Sequence, residues 1–129
     1  MPPKRSLSLP IGCGIDVVEL PRFKQAMKRG GRRFLERVFT LREQAYAKSH
    51  KRTMLLHLAG RFAAKEAVIK AVSQIDPART LAMNQIEIKN DRWGRPHIIL
   101  HDSHSKKLKV HISLSHVNSV AVASAIAIR

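Results

Sequence analysis

The strongest constraint on the fold is a pair of alanine-rich segments whose small faces match. RFAAKEAVIKA, residues 61–71, has helical periodicity and places Ala64, Ala67 and Ala71 on one face with Gly60. VAVASAIAI, residues 120–128, alternates like a strand, with alanine on one face and mainly valine and isoleucine on the other. Small side chains let backbones approach closely, so we expect the helix to pack on the alanine face of this last strand.

The remaining segments are typical of an α+β domain with a mainly antiparallel sheet packed against the long helix. The 129 residues are enough for a single domain, in which residues 1–9 form a flexible N-terminal extension. The residues NDRWG are typical of a turn. The predicted elements are a buried strand at 11–18, a helix from Pro21 to Gly30-Gly31, a short helix after the capping box Thr40–Glu43, the long helix at 54–73, and strands at 86–89, 97–100, 110–115 and 120–128.

The charge balance indicates a polyanionic partner. The chain has 24 Lys and Arg against 9 Asp and Glu, a formal net charge of +15. RNA, DNA, a phosphorylated cofactor and an acidic protein all satisfy this requirement. One Trp, one Tyr and four Phe offer few stacking surfaces, and no nucleic-acid motif is present. A basic nucleic-acid-binding module therefore remains an alternative function, but the composition does not favour it.

Three features predict a cytoplasmic protein without a membrane segment. The single cysteine, Cys13, excludes an intramolecular disulfide and fits a reducing compartment. Residues 1–13 contain no continuous apolar stretch of the kind found in secretion signals. The longest apolar-rich run, Val117 to Ile128, is too short to cross a bilayer as a helix.

A pair of carboxylates is the first candidate site. Glu66 and Lys70 share one polar stripe of the long helix, and Arg61 and Lys65 lie on another. Because Glu66 and Lys70 are four residues apart, they could form an ion pair that stabilises the helix by about 0.2–0.5 kcal/mol. Asp16 lies inside an apolar strand pattern, where a carboxylate must be paired or bound to a cation. Asp16 and Glu66 together suit Mg²⁺, which prefers oxygen ligands. Pairing of Asp16 with a buried basic residue is an equally open interpretation.

A second candidate site is the strand end HISLSH. Ser115 and His116 could bind a phosphate there, with Ser113 nearby. A histidine at a strand end is also often structural or solvated, and serines on a half-exposed strand are common. The residues alone leave both interpretations open.

Several motifs in one order resemble a known family. GCGIDVVEL, RFLERVFTLRE, LAGRFAAKEAVIKA, IEIKNDRWGRP and HISLSH are together similar to the bacterial holo-(acyl-carrier-protein) synthases, small members of the phosphopantetheinyl transferases. The resemblance implies the 4′-phosphopantetheinyl transferase fold. It also implies magnesium-dependent transfer of 4′-phosphopantetheine from coenzyme A to a serine of an apo acyl carrier protein, with release of adenosine 3′,5′-bisphosphate, in support of fatty acid biosynthesis.

The resemblance also implies roles for individual residues. Asp16 and Glu66 match the magnesium ligands, and Glu66, directly or through a metal-bound water, matches the general base. Lys70 matches the lysine near the transferred phosphate. By the same resemblance, coenzyme A contacts Arg61, Ser115 and His116. Arg22 docks the acidic carrier protein, and Lys24, Lys28 and Arg29 are weaker candidates for that contact. The resemblance also implies a homotrimer with active sites between subunits.

Two departures from the family pattern accompany these expectations. The loop at 73–84 belongs to the stretch AVSQIDPARTLAMN, residues 71–84, which lacks the glycines usual before the next strand. After SLSH, Val117 replaces a commonly hydroxylated residue. These changes leave a third possibility, a family member that keeps the fold with weakened catalysis. Retention of Asp16, Glu66, Lys70 and His116 argues against it.

Overall fold

The computed structural model of this chain describes residues 10–104 and 107–129, so the predicted flexible extension at 1–9 lies outside the described residues. In chain order the elements are strand β1 (Ile11–Glu19), helices α1 (Leu20–Val38), α2 (Leu41–Ser49) and α3 (Met54–Ile75), and strands β2 (Ile86–Asn90), β3 (Pro96–Leu100), β4 (Lys109–His116) and β5 (Val120–Ile128). Short 3₁₀ turns at Lys51–Thr53 and Met83–Gln85 precede α3 and β2.

The strands form two antiparallel sheets, one ordered β1-β5-β4 and the other a β2-β3 hairpin. Helix α3 covers the first sheet over β1 and β5. The four alanines of β5 that face this helix are almost fully buried. The α+β class and the docking of the long helix on the alanine face are therefore confirmed. The alanines are Ala121, Ala123, Ala125 and Ala127.

Strand β1 lies closer to α3 than ordinary side chains would permit. A Cβ added to Gly14 would lie 2.1 Å from the carbonyl oxygen of Ala67, and one added to Gly12 would lie 2.0 Å from that of Ala71. Both glycines are required for this contact because real Cβ atoms do not approach oxygen so closely. The close contact fixes β1 against the part of α3 that carries the predicted site.

The outer face of β1 differs from the prediction of a strand buried on both sides. Ile11, Ile15 and Val17 are 53%, 61% and 60% exposed, whereas Val18 on the opposite face is buried. Alternating residues of a strand point to opposite faces, and α3 covers only one of them. Ile11, Ile15 and Val17 therefore lie on a face that no other part of the described chain covers.

Helix α1 continues past the predicted stop at Gly30-Gly31. Gly31 leaves the helical conformation, with φ 55° and ψ −138°, and the helix resumes to Val38. Positive φ favours glycine, which explains the kink. The next helix begins as predicted, because Thr40 and Glu43 form the capping box of α2.

The β2-β3 hairpin and the glycine-poor segment 73–84 complete the chain. Asp91 accepts hydrogen bonds from the backbone N–H groups of Trp93 and Arg95, which confirms the turn predicted at NDRWG. Helix α3 extends to Ile75, beyond its predicted end. The segment that follows is anchored where Arg79 donates two 2.8 Å hydrogen bonds to Asp102. Within residues 10–104 and 107–129, no helix is long and apolar enough to cross a membrane.

Candidate functional site

Asp16, Glu66 and Lys70 meet where β1 crosses α3. Asp16 lies on the face of β1 that α3 covers, two residues beyond Gly14. The Nζ of Lys70 donates to the backbone oxygen of Ile15 at 2.9 Å and lies 3.3 Å from Oδ1 of Asp16. Glu66, one turn earlier on α3, lines the same cavity as Asp16. The structure thus brings the predicted carboxylates and the predicted lysine together.

The contacts of Lys70 match neither an ion pair between Glu66 and Lys70 nor the pairing of Asp16 with a buried basic residue. Among the described residues there is no ion pair between Glu66 and Lys70, because Lys70 reaches across to β1 instead. Asp16 is paired with a base, but that base is not buried, since the Lys70 side chain is 53% exposed. An exposed pair of this kind contributes little to stability. Lys70 therefore remains accessible to a ligand.

The electrostatics of Glu66 are unusual for a glutamate on a helix. Burial raises the pKa of Glu66 above its ordinary value, the carboxylate of Asp16 raises the pKa further, and Lys70 opposes both effects. Like charges and desolvation both disfavour the ionised form. Two carboxylates that repel each other at the edge of a cavity form a site where a cation would bind favourably.

The cavity beside the carboxylates has a volume of about 340 Å³ and lies between β1, α1 and α3. Three aromatic rings form its apolar wall. Arg22 lies at the rim, where its side chain is 81% exposed and lies 3.8 Å from a carboxylate oxygen of Glu19. The residues that line this cavity are Asp16, Val17, Val18, Glu19, Arg22, Phe23, Ala26, Phe34, Phe62 and Glu66.

Arg61, Ser115 and His116 form a second cluster around a cavity of about 110 Å³ between α3 and β4. Arg61 is only 6% exposed, although the sequence predicted a polar stripe there. Its guanidinium lies 4.6 Å from the centre of the Tyr46 ring, and its buried Nε has no hydrogen-bond partner among the described residues. A buried donor without a protein partner is available to an ordered water, an ion or a ligand.

Arg61 is the basic group of this second cluster, and histidines lie around it. Burial lowers the pKa of His57, and Arg61, His50 and His116 lower it further. Burial likewise lowers the pKa of Arg61, while Glu43 and Tyr46 oppose the shift. The residues thus place an arginine and a group of histidines at one small cavity, an arrangement suited to an anionic ligand.

The two clusters do not form one continuous site within the chain. Asp16, Glu66 and Arg22 line the larger cavity, whereas Arg61, Ser115 and His116 line the smaller one. Lys70 contributes to a third depression beside Cys13 on the outer side of β1. Residue spacing does not predict this division, because it does not show which strand or helix each residue of α3 faces in the folded chain.

A buried ion pair beneath the site was missed at the sequence level. Lys65 is fully buried, and its Nζ donates to Oε1 of Glu43 and to the backbone oxygen of Val38. The capping box identified Glu43 as a helix cap but gave no indication of this second role. The neighbouring alanines at 63, 64 and 67 were the only signal that Lys65 lies on a buried face.

Comparisons with known proteins agree over most of the chain. The profile of the 4′-phosphopantetheinyl transferase superfamily, named ACPS, matches residues 12–125. The holo-(acyl-carrier-protein) synthase of Protochlamydia amoebophila is 40% identical over 119 residues, covering 90% of this chain and 96% of that protein.

Solved structures show the same agreement in three dimensions. The Chronobacterium ammoniagenes ACPS–CoA complex has a TM-score of 0.79 at 32% identity, covering 92% of this chain and 96% of that one. The holo-(acyl-carrier-protein) synthase of Bacillus anthracis in complex with CoA (3′,5′-ADP) has a TM-score of 0.74 at 35% identity, covering 91% and 95%.

Proposed function

The chain belongs to the 4′-phosphopantetheinyl transferase superfamily, and from this premise we propose that it acts as a holo-(acyl-carrier-protein) synthase. In this reaction 4′-phosphopantetheine passes from coenzyme A to a serine of an apo acyl carrier protein, leaving the holo carrier and adenosine 3′,5′-bisphosphate. The observation that carries the proposal is the meeting of Asp16, Glu66 and Lys70 where β1 crosses α3. A nucleic-acid-binding module would have no use for the two carboxylates.

Asp16 and Glu66 would hold a magnesium ion. The mutual repulsion that raises the pKa of Glu66 would be relieved by a divalent cation, and carboxylate oxygens are the ligands Mg²⁺ prefers. No cluster of three or more His, Cys, Asp or Glu lies within the described ranges, which suits an ion that takes its remaining ligands from water and substrate phosphates. When bound, Mg²⁺ would neutralise negative charge on the pyrophosphate of coenzyme A.

Glu66 and Lys70 would carry the proton transfers. The carrier serine oxygen attacks the phosphorus that bears pantetheine, and the bond from that phosphorus to the oxygen of adenosine 3′,5′-bisphosphate breaks. Glu66, which lies beside Asp16 at the edge of the cavity, would accept the serine proton. Lys70, half exposed beside Asp16, stabilises or protonates the departing phosphate oxygen.

Arg61, Ser115 and His116 would bind phosphate groups of coenzyme A. The buried Arg61 Nε lacks a partner among the described residues, so it can donate a hydrogen bond to an external anion. Ser115 and His116 are exposed at the same cavity and can donate hydrogen bonds.

Arg22 would dock the acyl carrier protein. It lies at the rim of the cavity that contains the two carboxylates, and its side chain is exposed. Carrier proteins of this kind are acidic, so a basic chain with a net charge of +15 attracts them. A carrier bound there would bring its serine towards Asp16 and Glu66.

A homotrimer with active sites at the subunit interfaces would explain two observations at once. The outer face of the first sheet exposes Ile11, Ile15, Val17 and Ile126, which is unusual for a free surface. A head-to-tail ring buries one such face against a different face of the next subunit. That arrangement would also bring the carboxylate cluster of one chain to the Arg61 cluster of its neighbour.

We place this enzyme in the cytoplasm, in fatty acid biosynthesis.

The reaction can be tested by intact-protein mass spectrometry of an apo acyl carrier protein incubated with this chain, coenzyme A and Mg²⁺. We expect one phosphopantetheinyl group on the carrier, no gain on a carrier whose acceptor serine is alanine, and no gain with EDTA. Several acidic carriers that all remain unmodified would contradict the function and favour a weakened family member.

A further inference from the structure

We propose that Glu43 is a positioning residue of the cofactor site, one that fixes, through Lys65, the turn of α3 that lies between Arg61 and Glu66. This inference rests on the proposed function, since it assigns Arg61 to coenzyme A. Glu43 itself is 1% exposed, so it cannot touch a substrate. Its effect must pass through the residues that it contacts.

One carboxylate joins four parts of the chain. Oε1 of Glu43 accepts from the backbone N–H of Thr40 at 2.9 Å and from Nζ of Lys65 at 2.5 Å, while Oε2 accepts from the backbone N–H of Ile88 at 3.0 Å. Lys65 in turn donates to the backbone oxygen of Val38 at 2.6 Å. Glu43 therefore ties the end of α1, the start of α2 and strand β2 to the middle of α3.

The contact with α3 falls between the two clusters. Lys65 immediately precedes Glu66 in sequence and lies one turn after Arg61, so its fixed ammonium sets the rotation of the helix at both residues. A rotation that displaced Lys65 would move Glu66 relative to Asp16 and Arg61 relative to His116. The Lys65–Glu43 pair is fully buried, so it restrains the helix more firmly than an exposed ion pair would.

Glu43 is also a buried carboxylate beside Arg61. The two residues line the same cavity of about 270 Å³, which is distinct from the cavity that Arg61 lines with His116. Burial lowers the pKa of Arg61 and Glu43 is the first group to oppose it. The neighbouring carboxylate of Glu87 is engaged by Thr40 and His101. Arg61 is thereby stabilised in place, while its Nε remains without a partner among the described residues.

The test compares Glu43→Gln, the double variant Glu43→Gln with Lys65→Met, and the control Glu36→Gln, which makes the same chemical change at an exposed carboxylate. For each, the melting temperature, the KM values for coenzyme A and for carrier, and direct binding of coenzyme A are measured. Glu43→Gln leaves a buried ammonium unpaired, so the variant loses stability. The double variant removes that ammonium and recovers stability.

The inference predicts that the KM for coenzyme A stays raised, by about tenfold, in both Glu43 variants, as is typical when a group that orients a ligand is removed. The KM for carrier and all values for Glu36→Gln should not change. If the double variant recovers wild-type affinity for coenzyme A along with its stability, Glu43 acts on folding alone and the inference is wrong. Wild-type protein that does not bind coenzyme A at all would overturn the proposed function, and this inference with it; wild-type binding with unchanged variants would overturn only the inference.

Discussion

Gly14 on β1 lies directly beneath Ala67 on α3, so close that a Cβ at Gly14 would be 2.1 Å from the Ala67 carbonyl oxygen. This contact places Asp16 next to Glu66, and it depends on the absence of a side chain. Gly60, on the same helix, has only the Leu114 Cδ2 within reach of an added Cβ, at 3.9 Å. Substitution of Gly14 by alanine therefore tests the close contact, and the same substitution at Gly60 serves as its control.

We predict that Gly14→Ala destabilises the protein by about 3 kcal/mol, the upper end of the usual effect of overpacking. Gly60→Ala should be neutral or should stabilise by about 0.5–1 kcal/mol, because alanine is favoured over glycine in a helix interior. Urea unfolding of both variants measures the difference. Equal stabilities would show that β1 and α3 are not in tight contact.

Glu66→Gln should stabilise the protein while removing its activity. Because the pKa of Glu66 is higher in the folded state than in the unfolded chain, its ionisation opposes folding at pH values above its ordinary pKa of 4.5. Glutamine resembles the protonated form, so the variant should melt at a higher temperature at pH 7 without metal, and the difference should shrink as the pH falls towards 4.5. Added Mg²⁺ should raise the melting temperature of the wild type and not that of the variant. A variant that is less stable than wild type in metal-free buffer would contradict this electrostatic account.

Arg22→Glu should raise the KM for the carrier by about tenfold, since close charge pairs across an interface couple by more than about 1.5 kcal/mol. The KM for coenzyme A should not change, because Arg22 lies at the other cavity from Arg61. Arg32→Glu makes the same charge change beyond the kink of α1 and serves as the control. If both variants weaken carrier binding equally, the effect comes from net charge and Arg22 has no specific contact.

Ile15→Glu should disrupt the proposed trimer. Ile15 is 61% exposed at the centre of the outer face of β1, and burying a glutamate there in an interface is strongly unfavourable. Leu41→Glu introduces the same group at a side chain that is 82% exposed on α2 and should leave the assembly intact. Light scattering after size-exclusion chromatography measures the mass of each variant. A wild type that elutes as a monomer would remove the proposal that subunits share the active site.

The sequence predicted the parts of the structure that local pattern controls. The alanine faces, the capping box of α2 and the turn at Asp91 follow from periodicity and turn chemistry, and the structure contains all of them. The continuation of α1 past Gly31 could not be predicted, because glycine ends helices more often than it kinks them. The exposed face of β1 was missed because an apolar run does not show how many of its faces a single chain covers.

The candidate site was predicted in composition but not in arrangement. Asp16 and Glu66 were identified as a pair because each carboxylate was out of place in its own segment. The burial of Lys65 was missed because its partner, Glu43, is 22 residues away in sequence and already had a role as a helix cap. Long-range pairing of this kind is set by tertiary packing, which residue spacing does not encode.

The most direct test of the central claim is the rate at which this protein modifies an apo acyl carrier protein when either proposed magnesium ligand is changed. Asp16→Asn and Glu66→Gln are compared with wild type and with Glu36→Gln, and the carrier is followed by intact-protein mass spectrometry at saturating coenzyme A and Mg²⁺. We predict that wild type and Glu36→Gln add one phosphopantetheinyl group at the same rate, while the two site variants are slower by at least about 100-fold, as expected when a group that stabilises the transition state is lost. Near-normal transfer by either site variant, in a folded protein, would contradict the assignment of Asp16 and Glu66 as the reaction centre.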